Sequence, residues 1–245
     1  MTHDPPRVSF CIPAHNEAQL LGRTIHALHD AAATLNLPCE IVVADDGSTD
    51  NTGDIATRAG ARVVRVEHRK ISASRNSAAA ASRAPILFFI DADTIVSATN
   101  LREALDLLEH GCVGGGALVT FDGRIPLWSR LMLPLVIAGF RMARLSAGCF
   151  MFCTREAFEA CGGYPEIYYA SEEVHFARGL KEVGRFRLIR SLVMTSGRKL
   201  RAYSARQVLG VLARGLRSPK QMVRSRDALD LWYGERRDDP WYREG

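Results

Sequence analysis

The stretch ILFFIDADT, residues 86–94, sets five apolar residues in a row and then places two carboxylates, Asp91 and Asp93, where the run ends. An unbroken apolar run of this length reads as a strand covered on both faces, as strands of parallel sheets are. If the chain stays extended through residue 93, side-chain alternation puts both carboxylates on one side. At ~5 Å and an effective dielectric of about 20 they would repel by about 3 kcal/mol, so a cation is expected beside them.

On the N-terminal side of that run, strand and helix signals alternate. Residues 8–12 read as a strand, and residues 17–35 as a helix with Leu20, Leu21, Ile25 and Leu28 at helical spacing. Residues 40–44 read as a second strand, 49–59 as a helix with Ser48 or Thr49 as N-cap, and 61–66 as a third strand. The alanine-rich residues 72–82 predict a helix that stops before Pro85. This βαβαβαβ order predicts an α/β fold, a Rossmann-like, mostly parallel sheet with helices on both faces. Further on, residues 101–109 and 172–183 read as helices, and 113–121, 149–154 and 186–193 as extended segments. Two helices broken near Pro219 are expected after Ser204.

At 245 residues and 47% hydrophobic composition the chain suffices for one well-buried domain. The opening MTHDPPRVS has no apolar stretch of signal-peptide type, which predicts a cytoplasmic protein, and the six cysteines lack paired CxxC spacing, which predicts reduced core thiols. The net charge of +5 is unevenly spread: residues 183–226 contain twelve Lys and Arg and no acid. Such a block needs an anionic neighbour or much water.

In parallel sheets ligands bind where the strands end. Three strands end in polar clusters: PAHNE at 13–17, DDGSTD at 45–50 and DADT at 91–94. Each has a plain explanation. Asn16 can cap a helix, Gly47 and Ser48 can form a strand-to-helix junction, and Asp93 can cap the next helix. The carboxylates carry more than that. Asp45 and Asp46 can accept from a base N–H or a ribose hydroxyl, Asp91 and Asp93 can hold a divalent cation through hard oxygens, and the His15 ring can lie on a nucleobase.

Together, IPAHNE, VVADDGSTDNT and DADT resemble the family 2 glycosyltransferases of GT-A fold, over residues 8 to about 184. The resemblance implies a nucleotide-sugar-binding half at 1–97 and an acceptor half at 98–197, with 198–245 as a basic helical extension packed on the same domain. It implies that Pro13, Ala14, His15 and Glu17 surround the base, that Asp45 or Asp46 accepts its N–H, and that Asp91 and Ala92 contact the ribose side. Asp93, with Asp91, would hold Mg²⁺ or Mn²⁺ on the donor diphosphate. KISASRN, residues 70–76, is similar to the family's basic segment, which makes Lys70 and Arg75 phosphate or nucleotide contacts; Ile71 stands where glycine is common.

On the acceptor side, Glu172-Glu173 resembles the family's Glu-Asp pair that opens a helix and supplies the base, here one methylene longer. A bare acidic pair also suits a helix N-terminus. The implied reaction is an inverting, metal-assisted transfer from a nucleoside diphosphate sugar, UDP ahead of GDP, to a hydroxyl that is free or lipid-linked. His175 reads as a helix-face residue, and TSGRK, residues 195–199, has no histidine to complete a metal site.

LMLPLVIAGF, residues 131–140, is too short to span a bilayer and reads either as a core or acceptor wall or as a membrane-facing element flanked by Trp128, Arg130, Arg141 and Arg144. The basic stretch 185–226 suits anionic lipid, at the inner face of a membrane, or a phosphorylated acceptor. It has too few interleaved aromatic residues for nucleic acid, so no nucleic-acid partner is expected. The rival readings are a nucleotidyltransferase, whose glycine-rich basic loop is absent from PAHNE, and a membrane-binding protein whose nucleotide site has lost catalysis.

Overall fold

A computed structural model describes residues 5–142, 146–168 and 171–202. The expected helices after Ser204, and most of the basic C-terminal run, lie outside the described residues. Strands β1 (Val8–Ala14), β2 (Cys39–Asp46), β3 (Arg62–Val66) and β4 (Ile86–Ile90) alternate with helices α1 (Leu21–Thr34), α2 (Thr52–Arg58) and α3 (Ile71–Ala81). A two-residue strand β5 (Thr94–Ile95) precedes α4 (Ala98–Glu109), β6 (Gly114–Phe121), α5 (Leu127–Met142), β7 (Phe150–Thr154) and α6 (Arg155–Ala160). Helix α7 (Glu172–Val183), strand β8 (Phe186–Thr195) and the short α8 (Arg198–Ala202) complete the described chain.

The strands form one sheet in the order β3-β2-β1-β4-β7-β6-β8-β5. The first four are mutually parallel, β7 runs against both β4 and β6, and β5 runs against β8. The expected α/β architecture is therefore present, with an antiparallel strand inserted beside β4.

β4 shows why the apolar run is continuous. Phe88 and Phe89 are both fully buried but belong to opposite faces. Phe88 packs on Phe10, Phe150 and Phe152 at 5.5–5.8 Å, under α1 and α4. Phe89 meets Tyr164 at 4.9 Å and Phe176 at 5.6 Å, under α6 and α7. A strand covered on both sides has no solvent face to carry polar residues. At β6, Gly115 is required by close packing: a Cβ there would sit 2.1 Å from the Arg187 carbonyl and 2.4 Å from the Phe152 ring.

Three expectations are corrected. Residues 91–94 form a turn, closed by Thr94 N–H donating to the Asp91 carbonyl at 3.1 Å, so the alternation argument for Asp91 and Asp93 does not apply. In that turn Ala92 is buried in the core, and its carbonyl accepts from the Thr24 hydroxyl at 2.9 Å. Neither Ser48 nor Thr49 caps α2; Asp50 accepts from Thr52 N–H at 3.0 Å, and the Ser48 hydroxyl accepts from Asn16 N–H instead. Asn16 is no cap for α1 either, because α1 begins only at Leu21. All six cysteines are free, and burial pushes the Cys11 thiol up to about 12.

Candidate active site

The parallel register brings the polar strand ends to one edge: Ala14 lies beside Asp45, and Asp46 beside Val66. There the side chains of the first loop lock to those of the second. Asn16, at φ 52°, accepts through Oδ1 from Thr49 N–H at 2.8 Å, while Glu17 N–H donates to Thr52 Oγ1 at 2.8 Å.

Asp45 and Asp46, adjacent in sequence, have different partners. Asp46 is buried and accepts from Arg69 N–H at 2.7 Å, Lys70 N–H at 2.9 Å and the Ser74 hydroxyl at 2.8 Å, so both of its oxygens hold the start of α3. Asp45 accepts a long 3.3 Å bond from Ser48 N–H and lies against Gly53, where any Cβ would come within 2.8 Å of its Oδ2. Lys70 thus reaches this site through its backbone.

Arg69, which the sequence reading passed over, stands among these groups. Its Nη1 lies 2.9 Å from His15 Nε2, and its guanidinium covers Gly47, 3.2 Å from where a Cβ would stand. Gly47 has φ 62°, so the glycine serves both the turn and the close approach of the arginine. The HRK tripeptide at 68–70 was the available signal, but only the turn of the chain tells which of its cations faces His15.

The cation expected beside Asp91 is Arg75. It is 3% exposed and donates through Nη2 to Asp91 Oδ1 at 2.7 Å and through Nη1 to Glu172 Oε1 at 3.0 Å. Its Nη2 also reaches the Gly148 carbonyl at 3.3 Å, and the guanidinium lies 5.0 Å from the Tyr164 ring centroid. Arg75 therefore ties the end of β4 to the start of α7 from the middle of α3. Its nearby anions hold its pKa above the ordinary arginine range despite burial.

Beyond Arg75, Glu173 occupies the first turn of α7, its side chain against Gly148, where a Cβ would come 3.0 Å from its Cγ. Gly148 has φ 71°, a second reason for glycine there. Burial first, and then the negative charge of Glu172, push the Glu173 carboxyl up to about 7. His175, two residues on, stacks on Tyr168 at 3.8 Å and bonds to the Ser171 carbonyl through Nδ1 at 2.9 Å, as a helix-face residue does.

Asp93 lies two residues beyond Asp91. Its Oδ1 accepts from Thr195 Oγ1 at 3.2 Å, and it lines a small cleft with Arg23, Thr24 and Asp122. Glu17 is turned away from the solvent edge: Arg198 Nη2 donates to both its oxygens, at 3.0 and 3.1 Å, fastening α8 over the loop after β1. Pro13 is partly buried and Ala14 buried at the end of β1.

The carboxylate oxygens of Asp91 and Asp93 suit a hard divalent cation, and the Asp91 side chain is 36% exposed. Among the described residues no group of three His, Cys, Asp or Glu is placed to hold a metal by itself. A cation at Asp93 would therefore draw its remaining ligands from a substrate's oxygens or from water.

Fold and site together define an α/β protein with carboxylates gathered at the carboxyl edge of a parallel sheet. The family model "Glycosyl transferase family 2" matches residues 9–159, more than half of the chain, and the chain belongs to that family. The validoxylamine A glucosyltransferase of Streptomyces hygroscopicus subsp. jinggangensis is 32% identical over 111 residues, 42% of this chain and 26% of that protein. The chain thus spans about a quarter of the length of that curated relative. Among solved structures, the mannosyltransferase PcManGT of Pyrobaculum calidifontis, in complex with GDP-Man and Mn²⁺, aligns with a TM-score of 0.67 at 19% identity over 94% of this chain and 68% of its own. Glucosyl-3-phosphoglycerate synthase of Mycobacterium tuberculosis, with Mn²⁺ and UDP-glucose, aligns with a TM-score of 0.59 at 20% identity over 87% of this chain and 77% of its own. The fold is accordingly the GT-A fold.

Proposed function

We propose that this chain transfers a sugar from a nucleoside diphosphate sugar to an acceptor hydroxyl with inversion at the anomeric carbon. The observation that carries the reading is the chain of contacts Asp91–Arg75–Glu172, which links the donor edge to the helix turn that holds Glu173. Family membership and neighbours that bind UDP-glucose or GDP-mannose support the donor class.

In this reading Asp45 accepts the N–H of the base, because Asp46 has both oxygens committed to α3. His15, fixed by Arg69, flanks the base together with Pro13, and Asp91 faces the ribose. Arg69 supplies positive charge at the nucleotide edge, and Arg75 acts by positioning Asp91 and Glu172. A Mg²⁺ or Mn²⁺ held by Asp93, with Asp91, supplies charge for the departing diphosphate when bound.

Glu173 takes the proton of the acceptor hydroxyl. That oxygen attacks the anomeric carbon as the bond to the diphosphate oxygen breaks, leaving a glycosylated acceptor and a nucleoside diphosphate. A carboxyl raised to about 7 is half in its base form near neutrality, which suits the task. The donor base is expected to be uracil ahead of guanine, and the two halves divide near residue 97.

A thermal-shift screen against nucleoside diphosphates and their sugars, each with Mn²⁺, Mg²⁺ or chelator, tests the reading. At 100 times its dissociation constant a ligand stabilises the fold by about 2.7 kcal/mol. The expected result is a metal-dependent shift for one nucleotide, lost in Asp93→Ala. No shift with any nucleotide overturns it.

A further inference from the structure

The acceptor half carries an apolar surface that the proposed reaction does not use. Helix α5 presents Leu127, Leu131 and Leu135 at four-residue spacing, each 68–69% exposed, with Met132 and Val136 beside them at 46–47%. Met142 at its end is 86% exposed, and Ser129 is the one buried residue among the sixteen of the helix. Apolar residues all round a helix call for an apolar surrounding, and here the outward face has none within the described chain. Beneath the helix, an open groove of about 570 Å³ is lined by Ile125, Arg130, Leu133, Pro134, Ile137 and Arg141. A neighbouring groove of about 420 Å³ shares Arg141 and adds Arg187 and Arg190 of β8.

Charge decides what covers this face. Between Asp122 and Glu156 the chain has five arginines and no acid, and Arg185, Arg187 and Arg190 stand exposed on or next to the adjoining β8. A second copy would bring the same arginines to the contact. The C-terminal run 203–226 would bring six more Lys and Arg and no acid, the six acids of the tail coming only after it, in 227–245. An anionic lipid surface supplies both missing complements, an acyl layer for the leucines and phosphates for the arginine rim. Trp128 near the start of α5 is of the residue type enriched at the headgroup level.

The place of α5 in the chain gives the contact a purpose. Its first residue follows Asp122, which lines the Asp93 cleft, by five positions, and beyond its last residue the chain returns through Gly148, which lies against Glu173. We infer that α5 is an interfacial helix which docks the acceptor side of the site on a bilayer containing anionic phospholipid. A hydroxyl carried by a membrane lipid would then be delivered to Glu173, a consequence that rests on the proposed transferase reading.

Flotation of the full chain with vesicles of phosphatidylcholine alone, and with phosphatidylglycerol as roughly a third of the lipid, tests the docking. Binding is expected with the anionic vesicles, weakening as salt rises. The double variant L131E/L135E should bind at least roughly tenfold more weakly, and R130Q/R141Q should lose roughly fivefold for each arginine. Both variants should keep the wild-type circular dichroism melt and the nucleotide-dependent thermal shift, so a failure here is distinguishable from a failure of the donor site. Three results overturn the inference: no binding to either vesicle, undiminished binding by L131E/L135E, or a dimer in analytical ultracentrifugation that L131E/L135E dissociates.

Discussion

The donor edge and the acceptor flank treat their carboxylates in opposite ways. At the donor edge Asp46 accepts from two backbone N–H groups and a hydroxyl, and Asp91 has Arg75 at 2.7 Å. On the acceptor flank, burial first and then the negative charge of Glu172 push the Glu173 carboxyl up. The first arrangement stabilises anions and stiffens loops; the second, on the proposed reading, leaves a group poised to take a proton. On the proposed reading, stability and reactivity reside in different carboxylates, and substitutions should separate them.

The largest separation is expected at Glu173. Glu173→Gln should lower the transfer rate by roughly 10²- to 10⁴-fold while leaving the nucleotide-dependent thermal shift intact. The same change should raise stability at alkaline pH. The folded-state pKa of about 7 exceeds the ordinary carboxylate value of 4.5, so the folded state binds the extra proton, and wild-type stability falls as pH rises from 4.5 through 7. The glutamine variant lacks that loss. Denaturation midpoints of both proteins at pH 5 and pH 8 check the sign; a variant less stable than wild type at pH 8 would break the contrast.

Arg75 is where the two regions meet, so Arg75→Ala should damage both. It leaves Glu172 buried and unpaired and Asp91 partly so, at a cost of about 3–5 kcal/mol. Arg75→Lys should recover only part of this, because one ammonium lacks the fork that reaches two carboxylates and the Gly148 carbonyl. Urea denaturation of the two variants measures the difference, and full recovery by lysine would show that charge alone suffices.

A smaller effect sharpens the acceptor side. The rate should fall with acid as Glu173 is protonated, with a midpoint near 7. Glu172→Gln removes the adjacent negative charge and should move that midpoint to lower pH. A pH profile of kcat/KM for each protein tests this, and an unmoved midpoint would assign the shift to burial alone.

How far the sequence reached follows from the range of the interactions. The β/α alternation, the double-sided burial of 86–90 and the gathering of three polar clusters at one edge were legible because they rest on local periodicity and on the handedness of crossovers. A cation beside Asp91 was expected from a pairing with Asp93 that the turn removes; the cation present, Arg75, was not legible as its partner, since it joins residues 16 and 97 positions away. The pairing of Glu17 with Arg198 was not legible, since the two lie 181 positions apart. Asp91 and Asp93 do not alternate as in an extended strand, because the chain turns at 91–94 with Ala92 buried, a local event that the apolar run before it does not announce. Residues 131–140 stayed ambiguous because an apolar run reads alike in a core and on an apolar surface; only the packed fold shows the leucines facing outward.

The smallest effect concerns how the donor edge is stiffened. Asn16 combines a left-handed backbone, φ 52°, with an Oδ1 that accepts from Thr49 N–H, and the two contributions can be measured apart. Asn16→Gly removes the bond but keeps the backbone; because the contact is at the surface, water replaces part of it, and the loss should be about 0.5–1 kcal/mol. Asn16→Ala removes the bond and keeps a Cβ in the left-handed region without the amide that lets asparagine tolerate it, a further cost of about 1 kcal/mol relative to glycine. Urea denaturation should therefore rank wild type above glycine and glycine above alanine. Equal losses would mean that the loop relaxes to a right-handed turn when the bridge is gone. In that case the hydrogen bond to Thr49 imposes the left-handed turn, and the stiffness of the donor edge comes from its side chains alone.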